Sequence, residues 1–342
     1  MNATKPAEAL QTPAEPAASD RRRQGRVART IERFALLVAW VVVIVFFSLL
    51  RPDAYPTWGN FSTILGSQAV LVVITLGLMI PLTAGDFDLS VASVLMLSQM
   101  LIGILNVQHG WPIGLAIAAA LALSAVIGLI NAGFILFFRI PSLIVTLGTG
   151  TFINGIVLWI SASQTVGGIS DNLVNAVIVA RLFGIPLAFY YGLALSALVW
   201  YVFEFTALGR RLLFVGRGRE VARLSGIRVD RVRMGCLVAS SMFSALAGTL
   251  YAGMTGAADP TSGLNYLLPA FAAVFLGATS ITPGRFNPWG SFIAVYLLVS
   301  GITGLTMLGI DTFVQNLFYG GALVLAVAAS QLVRNRQALE FS

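Results

Sequence analysis

The sequence predicts an all-α polytopic membrane protein with about ten transmembrane helices. Three observations carry that prediction. Of the 342 residues 57% are hydrophobic, the mean hydropathy is +0.87 and 10% are charged, whereas a soluble domain carries about 25% charged residues. Apolar runs long enough to cross a bilayer, about 20 residues at 1.5 Å rise each, recur along the whole chain. The basic residues are gathered into a few connecting segments instead of being spread evenly.

Residues 1–33 differ in kind from the rest of the chain. "MNATKPAEALQTPAEPAASD" is rich in Ala, Pro, Thr and Glu, has almost nothing to bury, and is expected to be a disordered tail. "RRRQGRVARTIER" comes after it and abuts the first apolar run. A signal peptide would show a small-residue cleavage pattern after Leu50. None is there, so a retained signal-anchor helix is expected, and Glu8, Glu15 and Asp20 disfavour a transit peptide.

Spans are placed near 34–50, 64–83, 89–106, 112–138, 142–162, 187–205, 234–255, 265–281, 288–308 and 313–332. Helix is the expected form, because a span must satisfy its backbone internally. An outer-membrane barrel would instead show alternating segments of about ten residues, and these runs are continuous. Residues 34–333 therefore read as one ten-helix transmembrane domain, interrupted by a polar loop at 209–233 and ending in a tail at 334–342.

The arginines orient the domain. An even number of spans puts both termini on one side. The N-terminal tail, Arg139, the 206–233 loop, Arg285, Arg334 and Arg336 then share that side, and of 21 lysines and arginines only Arg51 and Arg181 fall opposite. By the positive-inside rule the shared side is cytoplasmic. Nine or eleven spans would divide the basic segments between the two faces.

Several chemistries are excluded. Cys236 is the single cysteine, so neither an internal disulfide nor a thiolate metal site is expected. The one histidine, His109, lies in the polar break "NVQHGWP" and reads as a solvated loop residue. Lys5, in the tail, is the only lysine, and a phosphate-binding loop of the Walker type requires a lysine after its glycines. "VGRGREVA" shows G-x-G without the third glycine or a preceding strand, so a nucleotide fingerprint is not supported. No metal, cofactor or nucleic acid is expected on this chain.

The segment "GRRLLFVGRGREVARLSGIRVDRVRMG" (209–235) holds eight arginines. Topogenesis or contact with anionic membrane lipid would account for charge alone. The segment has more than charge, however. "REVARLSGIRV" can form a short helix with Val221, Leu224 and Ser225 on one face and Arg219, Glu220 and Arg223 on another, stopped by Gly226. So short a helix does not persist alone in water. It requires something to dock against.

This segment, with three others, resembles the permease subunits of ribose-type sugar importers of the ATP-binding-cassette (ABC) class. Its Glu-x-Ala-x-x-x-Gly core falls at Glu220, Ala222 and Gly226. "AGDFDLSVASVLML" (84–97), "IPSLIVTLGTGTFINGI" (140–156) and "AAVFLGATSITPGRFNPWGSF" (272–292) are similar to further blocks of that family. Departures occur at Ala278, in the proline-containing turn with Phe286, and at Phe87 between two acids. The resemblance implies a permease-like fold of the type II ABC importers. It also implies a second permease subunit, two separate ATPase subunits that use ATP-Mg, and a periplasmic sugar-binding protein. It makes Arg219, Glu220, Ala222, Arg223, Leu224 and Gly226 the ATPase-coupling residues of a transporter subunit of the bacterial inner membrane.

A second candidate site is "LTAGDFDLS", at the join of the second and third spans. Asp86 and Asp88 lie between two apolar runs, where a carboxylate is costly without partners. One reading is a turn in which Asp88 or Ser90 caps the next helix; the other is a gating or translocation role. The break "GAADPTSGL" (256–264) also holds an acid and helix breakers, and the two would correspond if spans 2–5 and 7–10 are inverted repeats. Gln68, Thr146, Thr149 and Asn154 are the in-span polar residues added to the translocation-path candidates, because amides and hydroxyls suit a neutral polyol. Helix packing is the alternative reading for each.

Two rival functions remain at this level. A permease of a related ABC importer, for a branched-chain amino acid or a metal chelate, shares the architecture. An ion-coupled secondary transporter would place acids, His or Lys in mid-span, whereas Asp53, Asp171, Glu204, Asp259 and Asp311 sit at span ends.

Overall fold

The computed structural model describes the backbone of residues 18–311 and 313–340, and side chains between 34 and 328 apart from 312. Residues 1–17, within the expected tail, lie outside the described residues, as do the side chains of 334–342; the rest of the expected tail, 18–33, is helical as the start of the first helix, and 334–340 continue the last one. Fourteen helices are described in chain order: α1 (Ala18–Leu50), α2 (Trp58–Ser67), α3 (Ala69–Thr83), α4 (Val91–Gly103), α5 (Ile113–Phe137), α6 (Ser142–Ile160), α7 (Asp171–Val174), α8 (Leu187–Phe205), α9 (Ala207–Arg217), α10 (Arg219–Leu224), α11 (Val229–Thr255), α12 (Leu267–Gly277), α13 (Pro288–Met307) and α14 (Phe313–Glu340). Short π-helical turns at Ile104–Gln108 and Asn175–Val179, and a 3₁₀ turn at Ser262–Tyr266, complete the helical set.

Seven helical segments are long and apolar enough to cross a membrane: Trp58–Thr83, Val91–Gln108, Ile113–Phe137, Ser142–Ile160, Leu187–Phe205, Val229–Thr255 and Pro288–Met307. Each matches a predicted span within a few residues. The other three predictions fall on shorter apolar helices, Phe34–Leu50, Ser262–Gly277 and Phe313–Ala328. The chain is therefore an all-α polytopic membrane protein, with seven clear spans.

The interior is built around α3 and α11. Every residue of α3 is buried, which explains why its sequence is apolar on all sides instead of amphipathic. α11 packs against α3, α4 and α5, and small residues permit the close approach. Gly128 faces the α11 backbone at Val238, and Gly248 faces the Leu95 carbonyl. By contrast, only 28% of the apolar window of α5, α6 or α8 is buried within the chain, against 78% for α2–α3. Those outer helices leave most of their apolar surface uncovered within the chain. α1 closes the other flank against α13, with Trp40 Nε1 donating to Ser300 Oγ (2.9 Å) and the Tyr55 hydroxyl to the Ser300 carbonyl (2.9 Å).

Contacts sort the connections into two ends. At one end, Val166 and Gly167 pair antiparallel with Ala258 and Ala257, the Ser170 N–H donates to Asn106 Oδ1, and Ser62 Oγ donates to the Gly184 carbonyl. At the other end lie the 84–90 turn, the start of α6, and the 206–233 segment. Arg285 and Glu204 pair there as well (3.0 Å).

Candidate functional site

The site begins where α3 stops. Pro81 occupies its last turn, and Gly85 takes a left-handed conformation (φ +79°). The Gly85 N–H then donates to the Leu82 carbonyl (3.0 Å) and the Asp86 N–H to the Pro81 carbonyl (2.9 Å), a paired closure that glycine accommodates without a Cβ clash. This turn delivers Asp86 into the interior, 1% exposed.

A buried carboxylate requires partners, and Asp86 has two. Arg233, in the second turn of α11, donates from Nε to Oδ2 and from Nη2 to Oδ1, both at 2.7 Å. Arg219, the first residue of α10, donates from Nη2 to Oδ1 (2.9 Å) and to the Gly85 carbonyl (2.8 Å). The Arg233 side chain is 11% exposed and that of Arg219 41%. The two-pronged inner pair is thus an integral part of the core, and the outer one sits at the surface. A single carboxylate clasps both ends of the 219–233 segment.

The rest of the turn is held from three helices. Asp88 Oδ1 accepts from the Ser90 N–H (3.0 Å) and hydroxyl (2.5 Å), and its Oδ2 from Ser240 Oγ on α11 (2.8 Å). Asn131 on α5 donates to Ser90 Oγ (3.1 Å). On α6, Ser142 Oγ accepts from the Phe87 N–H and Thr146 Oγ1 from the Leu89 N–H, each at 3.0 Å. Ser90 begins α4 without capping it through its side chain; Asp88 instead takes the Ser90 backbone donor.

The same turn recurs at the other end. Gly256 is left-handed (φ +64°), as Gly85 is, and Asp259 Oδ1 accepts from the Thr261 N–H (2.7 Å) and hydroxyl (2.9 Å), as Asp88 does from Ser90. "GDFDLS" and "GAADPT" therefore correspond position by position, except that Ala257 stands where the first turn has Asp86. Burial separates the two acids. It pushes the Asp88 carboxyl above the ordinary range, against its hydrogen bonds from Ser90 and Ser240 and with Asp86 adding to the rise. It pushes the Asp259 carboxyl up too, but there the hydrogen bonds led by the Thr261 backbone N–H outweigh it and hold the group low.

α9 and α10 together form the basic segment. The sequence did not suggest α9. Its Gly216 lies against the Thr83 carbonyl so closely that an added Cβ would run into that oxygen. α10 forms over Arg219–Leu224, and Gly226 (φ +79°) stops it, with the Gly226 N–H bonded to the Arg223 carbonyl and the Ile227 N–H to the Ala222 carbonyl, each at 3.0 Å. Ala222 is buried, while Glu220, Val221, Arg223 and Leu224 face outward, Leu224 being 90% exposed. Arg223 pairs with Asp230 (2.9 Å) at the surface. An apolar ridge flanked by charges is thus left uncovered.

Of the path candidates, Asp86, Asp88, Ser90 and Thr146 come together in the turn. Gln68 lines a cavity at the opposite end, and Thr149 and Asn154 stand apart on α6, half-buried. Sequence reasoning missed Arg233, Ser240, Asn131 and Ser142. The available signal was the acid itself: Asp86 needs a cation, and the arginines flanking a span on the same side are the only supply.

A buried acid in one turn thus ties a basic, outward-facing helix to the buried spans. The family described as "Branched-chain amino acid transport system / permease component" matches residues 60–327. The chain belongs to that permease family. The D-allose transport system permease protein of Escherichia coli is 27% identical over 302 residues, covering 88% of this chain and 92% of the relative. The ribose import permease protein of Haemophilus influenzae is 27% identical over 303 residues (88% and 93%), and an autoinducer 2 import system permease protein of Salmonella paratyphi A is 28% identical over 319 (90% and 96%). No solved structure matches the chain. The permease is a transport subunit of the membrane and not an enzyme.

Proposed function

We propose that the permease is the membrane-spanning subunit of an ATP-driven importer that carries a monosaccharide from a periplasmic binding protein into the cytoplasm. The allose and ribose relatives support the solute class, as does the xylose transport system permease protein of H. influenzae (24% identical over 357 residues). On this reading all ten apolar helices span the inner membrane, both termini are cytoplasmic, and spans 2–5 and 7–10 are inverted repeats. The domain scheme is the 1–33 tail, the 34–333 permease domain and the 334–342 tail. A second permease subunit, two ATPase subunits and the binding protein complete the assembly.

The observation that carries the reading is the Asp86 joint. An ATPase seated on Glu220, Val221, Arg223 and Leu224 would move α10. Arg219 and Arg233 would pass that movement to Asp86, and through its turn to α4, α5, α6 and α11. Arg219, Glu220, Ala222, Arg223, Leu224 and Gly226 are thus the coupling set, and Asp86, Asp88, Ser90 and Thr146 gate the spans instead of touching solute. The matching turn at Asp259, remote from the ATPase face, has no such acid.

The test is reconstitution with the ATPase and binding protein encoded beside this chain. Uptake of labelled D-ribose, D-allose or D-xylose should require ATP and all three components, and the permease alone should hydrolyse no ATP. Leucine uptake with no sugar uptake would favour the amino-acid branch named in the family description. Uptake driven by a proton gradient without the ATPase would defeat the proposal.

A further inference from the structure

At the end opposite the Asp86 joint, a cavity of about 220 Å³ opens between α3, α11, α12 and α14. Two irregularities frame it. The α2–α3 segment breaks at Gln68 with neither Gly nor Pro at the break, and α12 is entered through the Ser262–Tyr266 3₁₀ turn. Interrupted helices of this kind frame solute sites in transporters, because they release backbone and side-chain polar groups into a space lined by protein.

Its lining is unusual for so apolar a chain. Gln68, Asn265 and Gln315 supply three amides, and Tyr251, Tyr266 and Tyr319 three phenols, with no Asp, Glu, Lys, Arg or His among the lining residues. Among the described residues the side-chain polar groups of Asn265, Gln315, Tyr251, Tyr266 and Tyr319 make no hydrogen bond within the chain, and none of them is a fully buried orphan. The Tyr251 and Tyr266 rings meet edge to face at 6.1 Å. Amides and phenols both donate and accept, so they suit a ligand that does the same at several positions, while the ring faces suit its C–H surface. A zwitterionic amino acid or an anionic chelate would arrive without a counter-charge. The volume falls below the range of about 300–1,000 Å³ typical of larger ligands, which fits one small ring.

We propose that this cavity is a solute-binding site of the permease itself, for a neutral monosaccharide, with Gln315, Asn265 and Tyr319 among its hydrogen-bonding groups. The inference rests on the sugar-importer reading and adds that the permease recognises the solute directly.

The experiment uses the reconstituted importer with D-ribose, D-allose and D-xylose as probes and leucine as the charged control. Gln315→Leu and Tyr319→Phe each remove polar groups with little change of shape. Each should lower sugar uptake by about three- to tenfold, the value of one hydrogen bond, while ATPase co-purification stays at wild-type level. In a Cys236→Ser background, Asn265→Cys should react with an impermeant maleimide, more slowly when the transported sugar is present. If the wild type takes up none of the three sugars, the importer reading and this inference fall together. If it takes up a sugar while both variants keep normal uptake and the cysteine is unprotected, this inference alone falls. Protection by leucine and not by sugar would also overturn it.

Discussion

Asp86 shows how much one carboxylate can decide. Its two arginines are not equivalent, because Arg233 is buried with it while the Arg219 side chain is 41% exposed. Removing one partner of a buried pair costs about 3–5 kcal/mol, because the other charge is left uncompensated. The Arg219 pair, with one exposed and one buried partner, is partly screened by solvent and worth less than the inner one. Asp86→Asn and Arg233→Gln should therefore lower the melting temperature of the detergent-solubilised permease and reduce its level in the membrane. Arg219→Gln should leave both near wild type, yet weaken the coupling of hydrolysis to uptake, since it severs the link from α10 alone. Equal loss of thermal stability in all three variants would show that the outer pair is structural and not a releasable contact. The presence of the acid was legible in the sequence, and so was its need for a partner. Which arginine answers it was not, because Arg233 lies 147 residues away and reads locally as one more topogenic charge.

Seven spans were legible as elements because a bilayer demands long apolar runs, and the other three predicted runs fall on shorter apolar helices. Their interruptions were not. The break at Gln68 carries no Gly or Pro, and α9 is polar enough to read as loop until Gly216 is seen against the Thr83 carbonyl. The stop of α10 was readable, since Gly226 is the residue a left-handed turn favours. In the structure nothing lies within 4 Å of a Cβ built at Gly226, so any defect there comes from backbone strain, about 1–2 kcal/mol for a side chain in that conformation. Gly226→Val should thus distort the exit from α10 and leave the spans inserted. Glu220→Arg reverses an exposed charge beside the Leu224 ridge, where like-charge contact with a partner costs several kcal/mol. Both variants should reach the membrane at normal level and show weak ATPase association, or hydrolysis uncoupled from uptake. Uptake measured alongside co-purification of the ATPase decides the matter. Normal values of both in both variants would reduce the segment to a topogenic role.

Across the whole molecule, the two ends are chemically distinct. One turn, Gly-x-x-Asp-x-Ser/Thr, is used at both: at Gly85–Ser90 it carries Asp86 and binds the basic segment, and at Gly256–Thr261 it carries Ala257 and borders the uncharged cavity. An inverted pair of repeats would place those copies on opposite membrane faces, and the added acid would then mark the face where force arrives. Such an arrangement demands one particular topology. Gln164, exposed in the loop after α6, lies at the Asp259 end, where the neighbouring Thr165 hydroxyl donates to Asp259 Oδ2 (3.3 Å). Arg217, exposed at the end of α9, lies at the Asp86 end. The native Cys236 is buried, and a Cys236→Ser background removes its thiol from the labelling signal altogether. In intact cells made permeable only at the outer membrane, Gln164→Cys should react with a membrane-impermeant thiol reagent, and Arg217→Cys only after the inner membrane is opened. The reverse pattern would put the basic segment outside, beyond the reach of any cytoplasmic ATPase. Labelling of both from outside would mean that α8, the single span between them, does not cross the membrane, and the inverted pairing of the two turns would have to be given up.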